Sequence, residues 1–255
     1  ILCVFHIDSV LFNDIIYLMI WIPFRVSAKR FLGVDIGTSA IKIVELSRSG
    51  ERIKLENYGE MSVPLNDKPF RTLEKTTLLF STQDIGKAIR SIFATAKVEA
   101  RDAIFSLPDY SSFFTFLNLP PMSREEISSA VQFKAREHVP LPLSEVTLDW
   151  SVINGEVFER KKSTALNVLL VAVPHEIIHQ YQDIARLSQI RLLALEAEIF
   201  GLIRSLIKGQ NKKGAICIVD FGAQSSTISI IENGSLKITH SFDVSGNELT
   251  RILSK

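Results

Sequence analysis

The chain has 255 residues, 46% of them hydrophobic, enough to bury one sizeable core or two smaller ones. A formal net charge of +1 gives no electrostatic reason to expect nucleic acid. Its cysteines are Cys3 and Cys217, and Cys217 falls in an apolar run expected to be a buried strand, which excludes a disulfide framework and fits a reducing, cytoplasmic compartment.

Residues 1 to 30 differ from the rest. Ile15 to Phe24 is a ten-residue apolar run, too short for a bilayer whose hydrocarbon core is about 30 Å thick. Asp14 precedes it in place of a basic stretch, so it is a poor signal peptide. The expectation is an apolar leader outside the true protein, which would then begin near Ser27 to Phe31; a membrane-dipping anchor is the alternative.

Phe31 to Leu46 reads as a strand, an Asp35-Ile36-Gly37 turn followed by Thr38 and Ser39, and an alternating strand that closes at Ser49-Gly50. Ile53 to Tyr58 is a third strand, and Pro64 to Leu79 an irregular connection. Behind the cap-like Ser81 and Thr82, apolar residues from Ile85 to Ala96 recur at helical spacing. A strand from Ala103 to Leu107 ends at Pro108. Ser112 to Leu119 alternates, and Ser123 to Glu126 opens a helix as a capping box. Strands at Thr147 to Ile153 and Ala165 to Val173 flank a charged hairpin tip at Glu159 to Lys162. The block from 103 to 190 reads as an inserted subdomain.

Ile216 to Ile231 then repeats the first hairpin: an apolar strand, Asp220-Phe221-Gly222-Ala223-Gln224-Ser225-Ser226-Thr227, and a strand closing at Asn233-Gly234. The copies lie 185 residues apart, from Asp35 to Asp220. Glycine lets a backbone approach a phosphate and aim its N–H groups at it. The hydroxyls of Thr38, Ser39, Ser225, Ser226 and Thr227 can donate to phosphate oxygens, and Lys42 can add a point charge. Like charge keeps Asp35 and Asp220 off phosphate itself, so their expected task is to hold Mg²⁺ through its water shell. A single Asp-x-Gly is an ordinary hairpin turn. Two in one setting point to phosphate.

His175-Glu176-Ile177-Ile178-His179 matches a zinc-peptidase motif, with Glu198 a conceivable third ligand. Helical spacing instead buries Ile177, Ile178, Tyr181, Ile184 and Ala185 and puts both histidines on the solvated stripe. The chain contains no P-loop, no dinucleotide fingerprint and no G-x-S-x-G elbow.

Paired hairpins of this kind resemble the phosphate loops of the actin and sugar-kinase superfamily. The order of Gly33 to Ser39 with Lys42, Leu119 to Met122, His138 to Pro140, Leu169 to Pro174, Glu196 to Arg204 and Val219 to Ala223 is similar to the type IV pilus assembly protein PilM family, over about residues 31 to 254. The resemblance implies an α/β, actin-like (ribonuclease H-like) fold. Its first domain would take residues 31 to 102 and 191 to 212, and its second, only begun, would start at 213. It implies ATP and Mg²⁺ as cofactors, bound by Asp35, Gly37, Thr38, Ser39, Lys42, Asp220, Gly222, Ala223, Gln224 and Thr227. Glu196 and Glu198, read as opening the helix between the halves, would position the metal and the attacking water. The implied role is a scaffold and at most a weak ATPase, cytoplasmic and peripheral at the inner membrane. Its partners would be the cytoplasmic tail of a PilN-like membrane protein and other platform components. The tail would meet Phe113 to Leu119 and the helix residues Ile127 and Val131. An FtsA-like division protein is the runner-up.

Overall fold

The computed structural model describes residues 4–5, 29–62, 78, 80–154, 165–207 and 214–254. The apolar run Ile15 to Phe24, nearly all of the connection Pro64 to Leu79, and the tip Glu159 to Lys162 fall outside them.

The largest sheet has the order β1 (Val4–Phe5), β9 (Arg191–Ala197), β5 (Asp102–Leu107), β2 (Lys29–Ile36), β3 (Ala40–Ser49), β4 (Arg52–Ser62). Strands β2, β5 and β9 are mutually parallel, so their carboxyl ends open on one edge, where α/β sheets place ligands. Along β3, Ile41 and Ile43 are buried while Lys42 and Val44 point to the opposite, open face. That covered face carries α1 (Thr82–Ala96) and α3 (His175–Leu187), which lie side by side. The Ser81 hydroxyl caps α1 by accepting from the Asp84 N–H at 3.1 Å. Helix α3 buries Ile177, Ile178, Tyr181, Ile184 and Ala185, the stripe its spacing foretold. Each such Ile side chain contributes about 1.5–3 kcal/mol on burial.

One charge sits inside this layer. Glu45 of β3 is 0% exposed and accepts hydrogen bonds from Asn57 of β4 and from the backbone N–H groups of Glu99 (3.1 Å) and Ala100 (2.7 Å). It thereby fastens the turn between α1 and β5 to the sheet.

A second sheet, β6 (Phe113–Leu119), β8 (Leu166–Pro174) and β7 (Val146–Asn154), is antiparallel and packs α2 (Arg124–His138) on one face. Glu126 accepts the Ser123 N–H at 2.8 Å, as the capping box required. Both flanks of the block 103 to 190 belong elsewhere: β5 pairs in the first sheet, and α3 packs in the first core. The block that carries its own sheet and core therefore runs from β6 to β8. Ile127 and Val131 lie in that core and are closed to any partner. Strand β6 stays at the sheet edge, with Phe113, Phe114 and Phe116 half-buried.

The third sheet is an antiparallel meander of β10 (Ala215–Phe221), β11 (Ser226–Glu232) and β12 (Ser235–Phe242). Its β11–β12 turn puts Asn233 and Gly234 at positive φ, 52° and 78°, the hairpin conformation that Asn-Gly favours. Cys217 was expected to be buried and is exposed. Alternation explains it, because Ile216 and Ile218 of this strand face the core, and Cys217 and Val219 line the open face with Ile228, Ile230 and Ile238. Among the described residues no helix is long and apolar enough to cross a membrane.

Candidate functional site

The two Asp-x-Gly turns close alike. Gly37 donates its N–H to the Ala40 carbonyl at 3.0 Å, and Gly222 donates to Ser225 at 3.0 Å. A Cβ on Gly37 would stand 3.1 Å from the Ala40 oxygen, and one on Gly222 would stand 2.6 Å from that of Ser225. Strand register continues the likeness, since Asp35 faces Lys42 and Asp220 faces Thr227. Helix α5 (Gly246–Leu253) seats on the second turn, its first N–H groups from Gly246 and Asn247 reaching the carbonyls of Gly222 (3.0 Å) and Ala223 (3.1 Å).

Four strand ends each bring a carboxylate to this place. Asp35 is the last but one residue of β2, Asp109 opens the 3-10 turn Asp109–Ser111 after β5, Glu198 follows β9 as the first residue of α4 (Glu198–Leu206), and Asp220 is the last but one residue of β10. Ser106 of β5 donates to Asp35 Oδ1 at 3.0 Å, and Lys42 Nζ lies 3.4 Å from Oδ2. Asp109 is buried and accepts the Ile199 N–H at 3.2 Å. Its own backbone N–H lies close enough to the Glu198 carboxyl to favour the charged form of that group.

The electrostatics follow from this crowding. Burial pushes Asp109 up to about 7, against the Ile199 N–H, and Asp220 adds to the rise. Burial lifts the Glu198 carboxyl well above the usual range, and Asp109, Asp35 and Asp220 lift it further. Asp220, whose side chain stays open to solvent, is raised by partial desolvation and then by Asp35, while Lys42 pulls it down. Beneath them Tyr181 and Tyr110 are raised by burial and feel Glu198 and Asp35. Such a concentration of carboxylates beside two amide-lined turns suits a divalent cation bridging to phosphate. Among the described residues no three acidic, histidine or cysteine side chains converge tightly enough to hold a metal directly.

Several expected residues stand elsewhere. The Ser226 hydroxyl donates to the Val244 carbonyl at 2.6 Å, and Thr227 pairs with Ser241 at 2.9 Å, so both serve the sheet rather than a phosphate. Glu196 does not begin a helix. It is the last but one residue of β9, and both of its carboxylate oxygens are taken by Arg204 of α4, which removes it from the role of base. Thr38, Ser39, Ala223, Gln224 and Ser225 line the turns, half-buried. His175 and His179 stand 6.5 Å apart, ring to ring, on α3, and Glu198 is turned toward the aspartates instead. The sequence reading missed Asp109 and Ser106, although a polar residue at or just past the end of a parallel strand is the available signal.

A family model described as type IV pilus assembly protein PilM matches residues 33–255. The chain belongs to the PilM family. In the PilM-PilN type IV pilus biogenesis complex, a solved chain superposes with a TM-score of 0.72 at 20% identity, covering 91% of this chain and 66% of that one. The ethanolamine utilization protein EutJ from Carboxydothermus hydrogenoformans matches at a TM-score of 0.50 and 16% identity, over 95% of this chain and 61% of that one. The cytoplasmic domain of EpsL, an inner membrane component of the type II secretion system of Vibrio cholerae, matches at 0.50 and 10%, over 89% and 76%. The chain thus spans about two thirds of the first two relatives. At these identities the likeness is one of fold, and the fold is the actin-like one expected for the PilM family.

Proposed function

We propose that this chain is a cytoplasmic, nucleotide-binding scaffold of type IV pilus assembly, working peripherally at the inner membrane among the platform components. The observation that carries the reading is the duplicated turn, two Asp-x-Gly loops with the same closing bond and facing carboxylates. The N–H groups of residues 38 to 39 and 223 to 224 receive the phosphates of ATP, and Lys42 adds charge. Mg²⁺ neutralises the phosphates when bound. Asp35 and Asp220 would hold the cation through water, with Ser106 orienting Asp35, and Glu198 would position a water beside it. Glu196, clamped by Arg204, takes no part.

The partner in this reading is the cytoplasmic N-terminal peptide of a PilN-like membrane protein, laid along the outer edge of β6, which pairs with no strand among the described residues and can accept an added one. Family membership supports it. Titration calorimetry with Mg-ATP, and separately with that peptide, tests both halves. Binding of Mg-ATP that is lost in Asp35→Asn supports the nucleotide half, and peptide binding lost when Phe116 is changed to Glu supports the partner half. No heat with either ligand overturns the proposal.

A further inference from the structure

The start of α4 has no cap of its own. Its N-cap residue is Ala197, whose side chain cannot accept a hydrogen bond. The missing acceptor comes from another segment: Asp109 Oδ1 takes the N–H of Ile199, the second residue of the helix, at 3.2 Å. This is a helix cap supplied from about 90 residues away in the chain instead of from within one helix turn. Asp109 is 5% exposed, too deep to be a surface cap.

We propose that Asp109 is the positioning residue for Glu198, and that this two-segment cap aims the Glu198 carboxyl at the cleft between Asp35 and Asp220. The cap sits where β5 and β9 end side by side, so the two carboxyls are fixed by neighbouring strands of one rigid sheet. Beneath it the Tyr181 hydroxyl is fully buried with no partner and lies in the field of Glu198 and Asp35. Without the Asp109 bond, the helix turn that carries Glu198 loses the cap that fixes its start.

The inference rests on the nucleotide reading, and the experiment separates the two. For the wild type, Asp109→Ala, Asp109→Asn and Glu198→Gln, ATP affinity is measured with Mg²⁺ and again with the chelator EDTA. The quantity compared is the gain that Mg²⁺ confers. In Asp109→Ala that gain falls about tenfold or more, the usual loss when an outer-shell partner is removed, and it falls likewise in Glu198→Gln. Asp109→Asn keeps the Oδ1 acceptor that Asp109→Ala lacks, and both keep the backbone N–H, so the Asn variant retains the gain. A purely structural defect would weaken both affinities together and leave the gain unchanged, and that result overturns the proposal. An Asp109→Asn variant as impaired as Asp109→Ala also overturns it, because the charge rather than the cap would then matter. A wild type that shows no Mg²⁺-dependent binding sinks the nucleotide reading, and this inference with it.

Discussion

Lys42 stands directly across the β2–β3 ladder from Asp35, its Nζ 3.4 Å from Oδ2, whereas the same place opposite Asp220 is held by Thr227. One ammonium therefore answers two carboxylates, since Asp220 feels Lys42 as well. Both members of the ion pair are largely solvated, so the pair contributes about 0–1 kcal/mol to stability. Lys42→Ala is expected to leave the melting temperature nearly unchanged and to weaken Mg-ATP binding about tenfold, read by calorimetry. A melting temperature that drops while affinity holds would reverse that assignment.

The two turn glycines differ in tolerance. A methyl at Gly222 meets a backbone oxygen at 2.6 Å, and one at Gly37 meets its counterpart at 3.1 Å. Gly222→Ala is expected to cost about 1–3 kcal/mol in urea unfolding, and Gly37→Ala less than about 1. Equal losses would mean that the turns relax alike.

Glu45 is buried with three N–H donors on its oxygens. Burial would raise its pKa, but the hydrogen bonds of Asn57, Ala100 and Glu99 and the charge of Arg30 outweigh this and hold it below 4.5. A carboxyl lowered on folding stabilises above its unfolded pKa, and the contribution is lost as pH falls through the folded value. Glu45→Ala, which strands those donors, is expected to destabilise by about 3 kcal/mol at pH 7 and to flatten the acid limb of the stability curve. Thermal melts from pH 3 to 7 check both.

Asp109 has the opposite sign. Its folded pKa, about 7, exceeds the unfolded 3.8, so the folded state holds the extra proton between those values. Its contribution is complete below about pH 3.8 and declines as pH rises to about 7. Asp109→Asn should remove this decline, and the variant should gain on the wild type as pH rises from 5 to 7. Parallel curves for the two proteins would place the titration elsewhere.

Changing His175 and His179 to alanine should alter stability by less than about 0.5 kcal/mol for each, with no stoichiometric zinc in either protein by elemental analysis. One zinc per chain, lost in the double variant, would restore the peptidase reading.

The hairpins were legible because each is written in main-chain chemistry, an alternating strand on either side of Asp-x-Gly. The α3 stripe was legible because Ile177, Tyr181 and Ile184 recur at the helical period. What stayed hidden depends on distant register. Ser226 and Thr227 look like phosphate donors until Val244 and Ser241 are placed across from them. Glu196 looks like a helix opener until the strand runs to Ala197 and Arg204 folds back onto it. The borders of the inserted block misled for the same reason, because β5 is local in sequence to β6 but pairs with β2 and β9. Asp109 escaped notice because its partner, Ile199, is contributed by a helix far along the chain.

The seating of α5 on the second turn is made wholly of backbone groups, Gly246 to Gly222 and Asn247 to Ala223. Such a joint is indifferent to most side chains. Mutation can accumulate at Ala223, Gln224 or Asn247 without loosening it, while Gly222 stays pinned by the space its neighbour leaves. It also makes the turn and the helix one mechanical piece. A displacement of α5 would tilt the loop whose Asp220 faces Asp35.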